Sequence, residues 1–375
     1  MKRILSLDGG GIRGALSLGY LEKIENILAS RHSNIIEPEK FRLCNYFDLI
    51  GGTSTGSIIA AALTIGMKVS EIKNKYDELG EVIFGEKRNW WNPFETFKYL
   101  KASYDQKPLV NELKKIFGDI TLGGDEIKTN LCIVTKRADT NSTWLFHNNP
   151  NGKFYDSDLG RNKYIPLWQI VRASTAAPTY FVPQVLKVGN DIVGAFVDGG
   201  MSMANNPAFE LFKVATMNGF CYQWPTGADE LLLVSVGTGN KEYFSKITEV
   251  TDNKLLSWAK EIPDMLMSDA SWNNQTLLQW FSICPKAKKI DLEIGDLKDE
   301  CLTKEPLLTY VRYNQIVGKE ELNKLNIRNF TDKEVESLQE MSNAKNCKIL
   351  YEIGCAAAES EIDTEDFPVN FDLTQ

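Results

Sequence analysis

The chain has 375 residues, 43% hydrophobic and 25% charged, with net charge −8 and a sequence pI near 5.2. This composition excludes a peptide, a disordered tail and a fibre, and it supplies enough apolar residues for a large core. With 42 basic against 50 acidic side chains there is no general attraction for a polyanion, so bulk nucleic-acid binding is disfavoured, while a small anion in a local basic pocket stays open.

In chain order, Lys2 and Arg3 precede too few apolar residues for a leader, so a cytoplasmic protein is expected. Arg3 to Leu7 reads as a short buried strand, and Ala15 to Ala29 carries Leu18, Leu21, Ile24, Ile27 and Leu28 at helical spacing. The pattern recurs at Tyr46 to Gly52 and Thr55 to Met67. Leu49 to Met67 has no charge over 19 residues, yet its four glycines and five Ser/Thr residues fit a strand, turn and helix better than a membrane span. Further strands are expected at 130–136, 144–147, 192–197 and 231–236. Strands alternating with helices imply an α/β fold with a mostly parallel central sheet.

After Gly237-Thr238-Gly239 the strand signal fades. Leu255 to Phe281 and Glu320 to Ala358 read as helical, and the acidic tail from Glu359 reads as disordered. Residues 321–375 are therefore expected to form a helical C-terminal extension with an acidic tail, packed on a core of residues 1–320. Seven cysteines, at 44, 132, 221, 284, 301, 347 and 355, show no CxxC spacing, which argues for reduced thiols and against a metal site.

Gly52-Thr53-Ser54-Thr55-Gly56 matches the G-x-S-x-G nucleophile elbow between a strand and a helix. Small residues let the turn expose the Ser54 hydroxyl, and the N-terminus of the following helix favours a developing oxyanion. Asp8-Gly9-Gly10-Gly11-Ile12-Arg13-Gly14 follows a strand with consecutive glycines whose amides can approach an anion, with Arg13 beside them. Gly9, Gly11 and Gly14 also satisfy G-x-G-x-x-G, so a nucleotide-dependent oxidoreductase is a rival reading. It lacks the acidic residue expected at the end of a second strand, since Glu37 and Glu39 lie in a polar loop beside Pro38.

A serine nucleophile needs a base. Both histidines, His32 in a polar stretch and His147 ending a strand, read as surface or strand-end residues. Asp198, in Phe196-Val197-Asp198-Gly199-Gly200, ends an apolar strand and can take the proton itself if burial raises its pKa; Asp-Gly pairs also form plain turns.

Asp8 to Gly14, Gly52 to Gly56 and Asp198-Gly199-Gly200, each behind a strand, together resemble the patatin-like phospholipases, which use a Ser-Asp dyad without histidine. Arg172 to Pro178 and Val236 to Gly239 resemble segments of the same family, and the resemblance covers roughly residues 1–320. It implies the three-layer α/β fold of that family and a phospholipase A type hydrolase that needs no metal or organic cofactor. Ser54 would be the nucleophile, Asp198 the base, and the Gly10 and Gly11 amides, with Thr55 and Arg13, the oxyanion hole. Asp8 would order the glycine loop. The expected partners are membrane phospholipids met peripherally at the inner face, with homo-oligomerisation left open.

In overall layout the chain is also similar to bacterial patatin-like effectors of cyclic-oligonucleotide antiviral systems, which a second messenger switches on. That similarity implies a cyclic dinucleotide activator, for which Arg88, Trp90 and Trp91 are the expected ligands, since Arg pairs with phosphate and Trp stacks on a base. Core packing is the plainer reading of these aromatics, and also of Leu255, Trp258, Ile262, Met265, Leu266, Trp272, Leu277, Trp280 and Phe281. A non-catalytic lipid- or nucleotide-binding module is the third reading.

Overall fold

The computed structural model describes residues 1–84, 105–241, 247–251 and 255–374. Arg88, Trp90 and Trp91 lie outside the described residues.

Strands are numbered in chain order. β1 (Lys2–Leu7) lies between β2 (Leu49–Thr53) and β7 (Leu231–Val236), parallel to both. Its alternate residues enter two cores: Leu5 and Leu7 join one with the helices Gly14–Arg31 and Thr55–Thr64, and Ile4 joins the other with the helix Ala208–Thr216. Burial on both faces explains why β1 and β7 are continuous apolar runs. The main sheet has the order β5-β6-β3-β2-β1-β7-β10-β9, where β3 is Asn130–Arg137, β5 Gln184–Lys187, β6 Val193–Asp198, β9 Ser282–Ile283 and β10 Leu308–Tyr313. From β3 to β9 it is parallel; β6 and β5 run antiparallel, as does β4 (Ser142–His147), which pairs with β3. The result is a mixed α/β fold with a mostly parallel central sheet and a helical C-terminal region.

Four expectations need correction. Tyr46 ends a short helix, Leu43–Tyr46, and the second strand starts only at Leu49. The strand signal does not end at Val236: β10 pairs directly with β7, and its apolar pattern was masked by Arg312, which the fold buries against Asp8. The acidic tail is not disordered. Phe367 and Phe371 are buried, Arg31 donates to the carbonyls of Thr364 and Phe367 at 3.1 and 2.6 Å, and the Tyr313 hydroxyl donates to Asp366 at 2.7 Å. Finally, the helix Leu255–Phe281 is not simply core: Leu278 is buried, but Ile262, Met265 and Leu266 are 47%, 46% and 63% exposed.

The helix Cys347–Glu361 packs on Gly14–Arg31 so closely that a Cβ on Gly19 would come within 2.4 Å of the Cys355 amide nitrogen. Among the described residues, no helix is long and apolar enough to cross a membrane.

Candidate active site

Ser54 sits between β2 and the helix Thr55–Thr64 with φ 51° and ψ −123°, a conformation costly for a side chain and typical of a strained elbow. Its neighbours explain the glycines. A Cβ on Gly52 would lie 2.2 Å from the Gly56 carbonyl oxygen, and one on Gly56 would lie 2.3 Å from that of Leu7. The Ser54 amide donates to Ser174 Oγ at 2.8 Å, and Ser174 Oγ donates to the Val134 carbonyl at 2.6 Å, so the helix Leu167–Ser174 braces the turn.

The Ser54 hydroxyl donates to Asp198 Oδ2 at 2.5 Å. Asp198 Oδ1 accepts the Gly200 amide at 2.7 Å, and the Asp198 amide donates to the Ala176 carbonyl at 3.0 Å, fixing the carboxylate from both sides. Burial pushes its pKa up to about 6; the Ser54 hydrogen bond, the Gly200 amide and the charge of Arg172 pull the other way. Arg172 is itself fully buried, donating to Gln106 Oε1 and the Val182 carbonyl, and burial lowers its pKa to about 10.

The glycine loop lies against this pair. Gly11 takes φ 59°, in the left-handed region, and its carbonyl accepts the Tyr76 hydroxyl at 2.5 Å and the Thr55 hydroxyl at 3.0 Å. Gly9 is tied by its amide to the Asn205 carbonyl at 3.0 Å and by its carbonyl to Thr238 Oγ1 at 2.9 Å. Among the described residues, the Gly10 and Gly11 amides donate to no acceptor. Gly10, Gly11, Ser54, Thr55, Asp198 and Gly200 line one cavity of about 240 Å³, walled on its apolar side by Ile58, Leu79, Leu109 and Phe181. Gly199 opens the short turn after β6, and Gly14 starts the first long helix.

Asp8 and Arg13 are placed differently. Asp8 forms a buried pair with Arg312, at 2.6 Å and 3.2 Å, and Arg13 opens with it onto an adjoining polar cavity rather than onto the one that holds Ser54. Both histidines stand away from the serine. His32 is not a surface residue: it is buried, stacked on Tyr46 and Phe41, with Nε2 3.7 Å from Asp372. His147 ends β4, and burial lowers its pKa to about 4.

Two participants escaped the sequence reading. Arg312 was hidden inside an apolar strand, where a lone arginine is itself a signal of a buried ion pair. Met341, distant in the chain, lines the Ser54 cavity and accepts the Ile12 amide on its carbonyl at 2.9 Å. No local pattern announces such a contact.

A strained serine on a strand-to-helix turn of a mostly parallel sheet, with a glycine loop beside it, has the form of the nucleophile-elbow motif of α/β proteins. A family model described as patatin-like phospholipase matches residues 5–212, more than half of the chain. The chain belongs to the patatin-like phospholipase family. It is 32% identical to a cGAMP-activated phospholipase of Vibrio cholerae, covering 64% of this chain and 65% of that one. It is 30% identical to a cGAMP-activated phospholipase of Escherichia coli, covering 64% and 63%, and 29% identical to patatin-like protein 4 of Arabidopsis thaliana, covering 65% and 62%. The chain thus spans just under two thirds of the length of these curated relatives.

Proposed function

We propose that the protein is a serine acyl hydrolase of the phospholipase A type, cleaving carboxylic esters of membrane glycerophospholipids through Ser54 and Asp198. The observation that carries this reading is the 2.5 Å hydrogen bond from the Ser54 hydroxyl to Asp198, at the floor of an apolar cavity rimmed by the Gly10 and Gly11 amides. Ser54 Oγ attacks the ester carbonyl while its proton passes to Asp198, and the oxyanion is met by those amides. The carbon–oxygen bond to glycerol breaks, the departing alkoxide takes the proton from Asp198, and an acyl-Ser54 remains. Water then attacks the acyl carbon and gives a proton to Asp198; the bond from that carbon to Ser54 Oγ breaks, Oγ takes the proton back from Asp198, and the fatty acid is released.

Regulation by a cyclic dinucleotide is supported by the names of the two bacterial relatives, and a place in antiviral defence is the further reading that such regulation suggests. Residues 1–320 are read as the hydrolase and 321–375 as an extension that braces its glycine loop through Met341. Peripheral action at the inner face of a membrane accords with the exposed apolar residues of the helix Leu255–Phe281, whose Asp264 and Met267 line the Ser54 cavity. Fluorophosphonate labelling combined with lipid-product analysis tests the reading. Labelling and fatty-acid release should both vanish in Ser54→Ala, and labelling that persists in that variant would place the nucleophile elsewhere.

A further inference from the structure

Val236 to Gly239 supplies no reacting group, yet it lies directly against the glycine loop. A Cβ on Gly10 would come within 2.2 Å of Thr238 Oγ1, and the buried Thr238 donates its hydroxyl to the Gly9 carbonyl at 2.9 Å. The Asn205 side-chain amide adds a longer bond to the same oxygen, at 3.4 Å. The turn that carries Thr238 is itself tied down. The Gly237 carbonyl accepts Ser17 Oγ at 2.8 Å, the Gly237 amide donates to the Tyr313 carbonyl at 2.9 Å, and the Gly239 amide donates to Asn314 Oδ1 at 2.8 Å. Thr238 is thus presented from a turn fixed to the end of β10 and to the helix Gly14–Arg31.

A trans peptide is planar, with its carbonyl and its N–H pointing in opposite directions. Whatever holds the Gly9 carbonyl therefore aims the Gly10 amide, and whatever holds the Gly10 carbonyl aims the Gly11 amide. The Gly9 carbonyl is held by Thr238 and Asn205, and the Gly10 carbonyl accepts the Arg13 amide at 3.2 Å. The next plane is clamped at both ends: the Gly11 carbonyl takes the hydroxyls of Thr55 and of Tyr76 from the helix Val69–Phe84, and the Ile12 amide donates to the Met341 carbonyl.

These clamps answer a weakness of the loop. Glycine has no Cβ to restrict the backbone on either side of each plane, so three in a row left to themselves sample orientations in which their amides point away from the cavity. Oxyanion donors act by being in place before the charge develops, and donors that must first turn lose that advantage. We propose that Thr238 and Tyr76 are positioning residues of the oxyanion hole: Thr238 aims the Gly10 amide, and Tyr76, with Thr55, fixes the plane beyond Gly11 and so keeps the Gly11 amide in line. Each acts through a carbonyl of the loop. The proposal rests on the Ser54 reading given above and adds the groups that make its glycine loop rigid.

The test follows hydrolysis of p-nitrophenyl butyrate by the full chain, together with the affinity of an alkyl trifluoromethyl ketone, whose adduct on a serine carries an oxyanion and mimics the transition state. Thr238→Val keeps the shape of the side chain and removes the hydroxyl. It should lower kcat by about tenfold or more, up to the roughly 100- to 1,000-fold of a donor lost outright. KM should change little, and ketone affinity should fall by the same factor as kcat/KM. Thr238→Ser, which keeps the hydroxyl, should recover most of the rate. Tyr76→Phe should show the same split between kcat and KM at smaller size, because Thr55 still holds the Gly11 carbonyl, and it carries the test where Thr238→Val does not fold. A hydroxyl with a merely structural role would lower unfolding stability and leave kcat alone. Unchanged kcat in the folded variants, a loss confined to KM, or an equal loss in Thr238→Ser would overturn the proposal. Hydrolysis that persists in Ser54→Ala would instead overturn the Ser54 reading, and this proposal with it.

Discussion

β1 and β6 each end at a buried aspartate, and the two are held in opposite ways. Asp8 meets the guanidinium of Arg312 directly, at 2.6 Å, and that contact keeps Arg312 charged despite burial. Among the described residues Asp198 has no such contact: it meets a serine hydroxyl and a backbone amide, with Arg172 acting through its field, and burial pushes its pKa up to about 6. Burial raises the carboxyl of Asp8 as well, but both its oxygens are taken by Arg312 and tie it to structure, whereas Asp198 keeps one oxygen on the serine whose proton it can accept. The same substitution, aspartate to asparagine, should therefore have different consequences at the two sites.

The largest effect is on turnover. Asp198→Asn should lower kcat/KM by about 100- to 10,000-fold, the usual scale of a general base, with the folded near-ultraviolet circular dichroism retained. His147→Ala should leave hydrolysis in the absence of nucleotide unchanged; a comparable loss there, in a folded protein, would reassign the base. In the wild type the rate should fall about tenfold per pH unit below pH 6, because protonated Asp198 cannot accept the serine proton.

Asp8→Asn should act on stability first. It leaves Arg312 buried and uncompensated, at a cost of about 3–5 kcal/mol, measurable by denaturant unfolding. Near-normal stability in Asp8→Asn would show that the Asp8–Arg312 pair does not hold β10 to the sheet.

Asp198→Asn should move stability the other way. The folded pKa of Asp198 is raised from 3.8 to about 6, so the folded state resists ionisation. This penalty is absent below pH 4, grows as pH rises and is complete above about pH 6, reaching about 3 kcal/mol at 1.36 kcal/mol per pKa unit. Asparagine carries no charge and avoids it. The variant should match the wild type at pH 4 and exceed it at pH 7; a difference independent of pH would mean that Asp198 is not the strained group.

The contrast also shows what a sequence can disclose. The elbow, the glycine loop and the strand-ending Asp198 are local patterns: each needs small residues at fixed offsets, so each is visible in a short window. The partners that set their electrostatics are not local. Arg312 reaches Asp8 across 304 positions of chain, and Met341 reaches Ile12 only because the C-terminal region folds back over the loop. Strand β10 was lost for the same reason, since the charge that anchors it also interrupts its apolar pattern. The tail misled through composition: its acidic residues are exposed at Glu359 and Glu365, while Phe367 and Phe371 fix it to the core.

The smallest expected effect concerns a surface rather than a buried charge. Asp264 and Met267 turn toward the Ser54 cavity while Ile262, Met265 and Leu266, on the same helix, are left in water. A helix that lines the Ser54 cavity on one side and exposes large apolar residues beside it suits the plane of a membrane better than free solvent. Replacing Ile262, Met265 and Leu266 together by serine should change unfolding free energy by only about 0.5 kcal/mol, because little packing is lost. Each side chain that enters a bilayer contributes up to ~1.5–3 kcal/mol of apolar burial. Even partial insertion of all three makes the triple variant at least about tenfold weaker on vesicles. Hydrolysis of a short soluble ester, which never meets an interface, should be unchanged. Equal losses on both substrates would place these residues in the cavity's own architecture, and no loss on vesicles would assign membrane contact to another face.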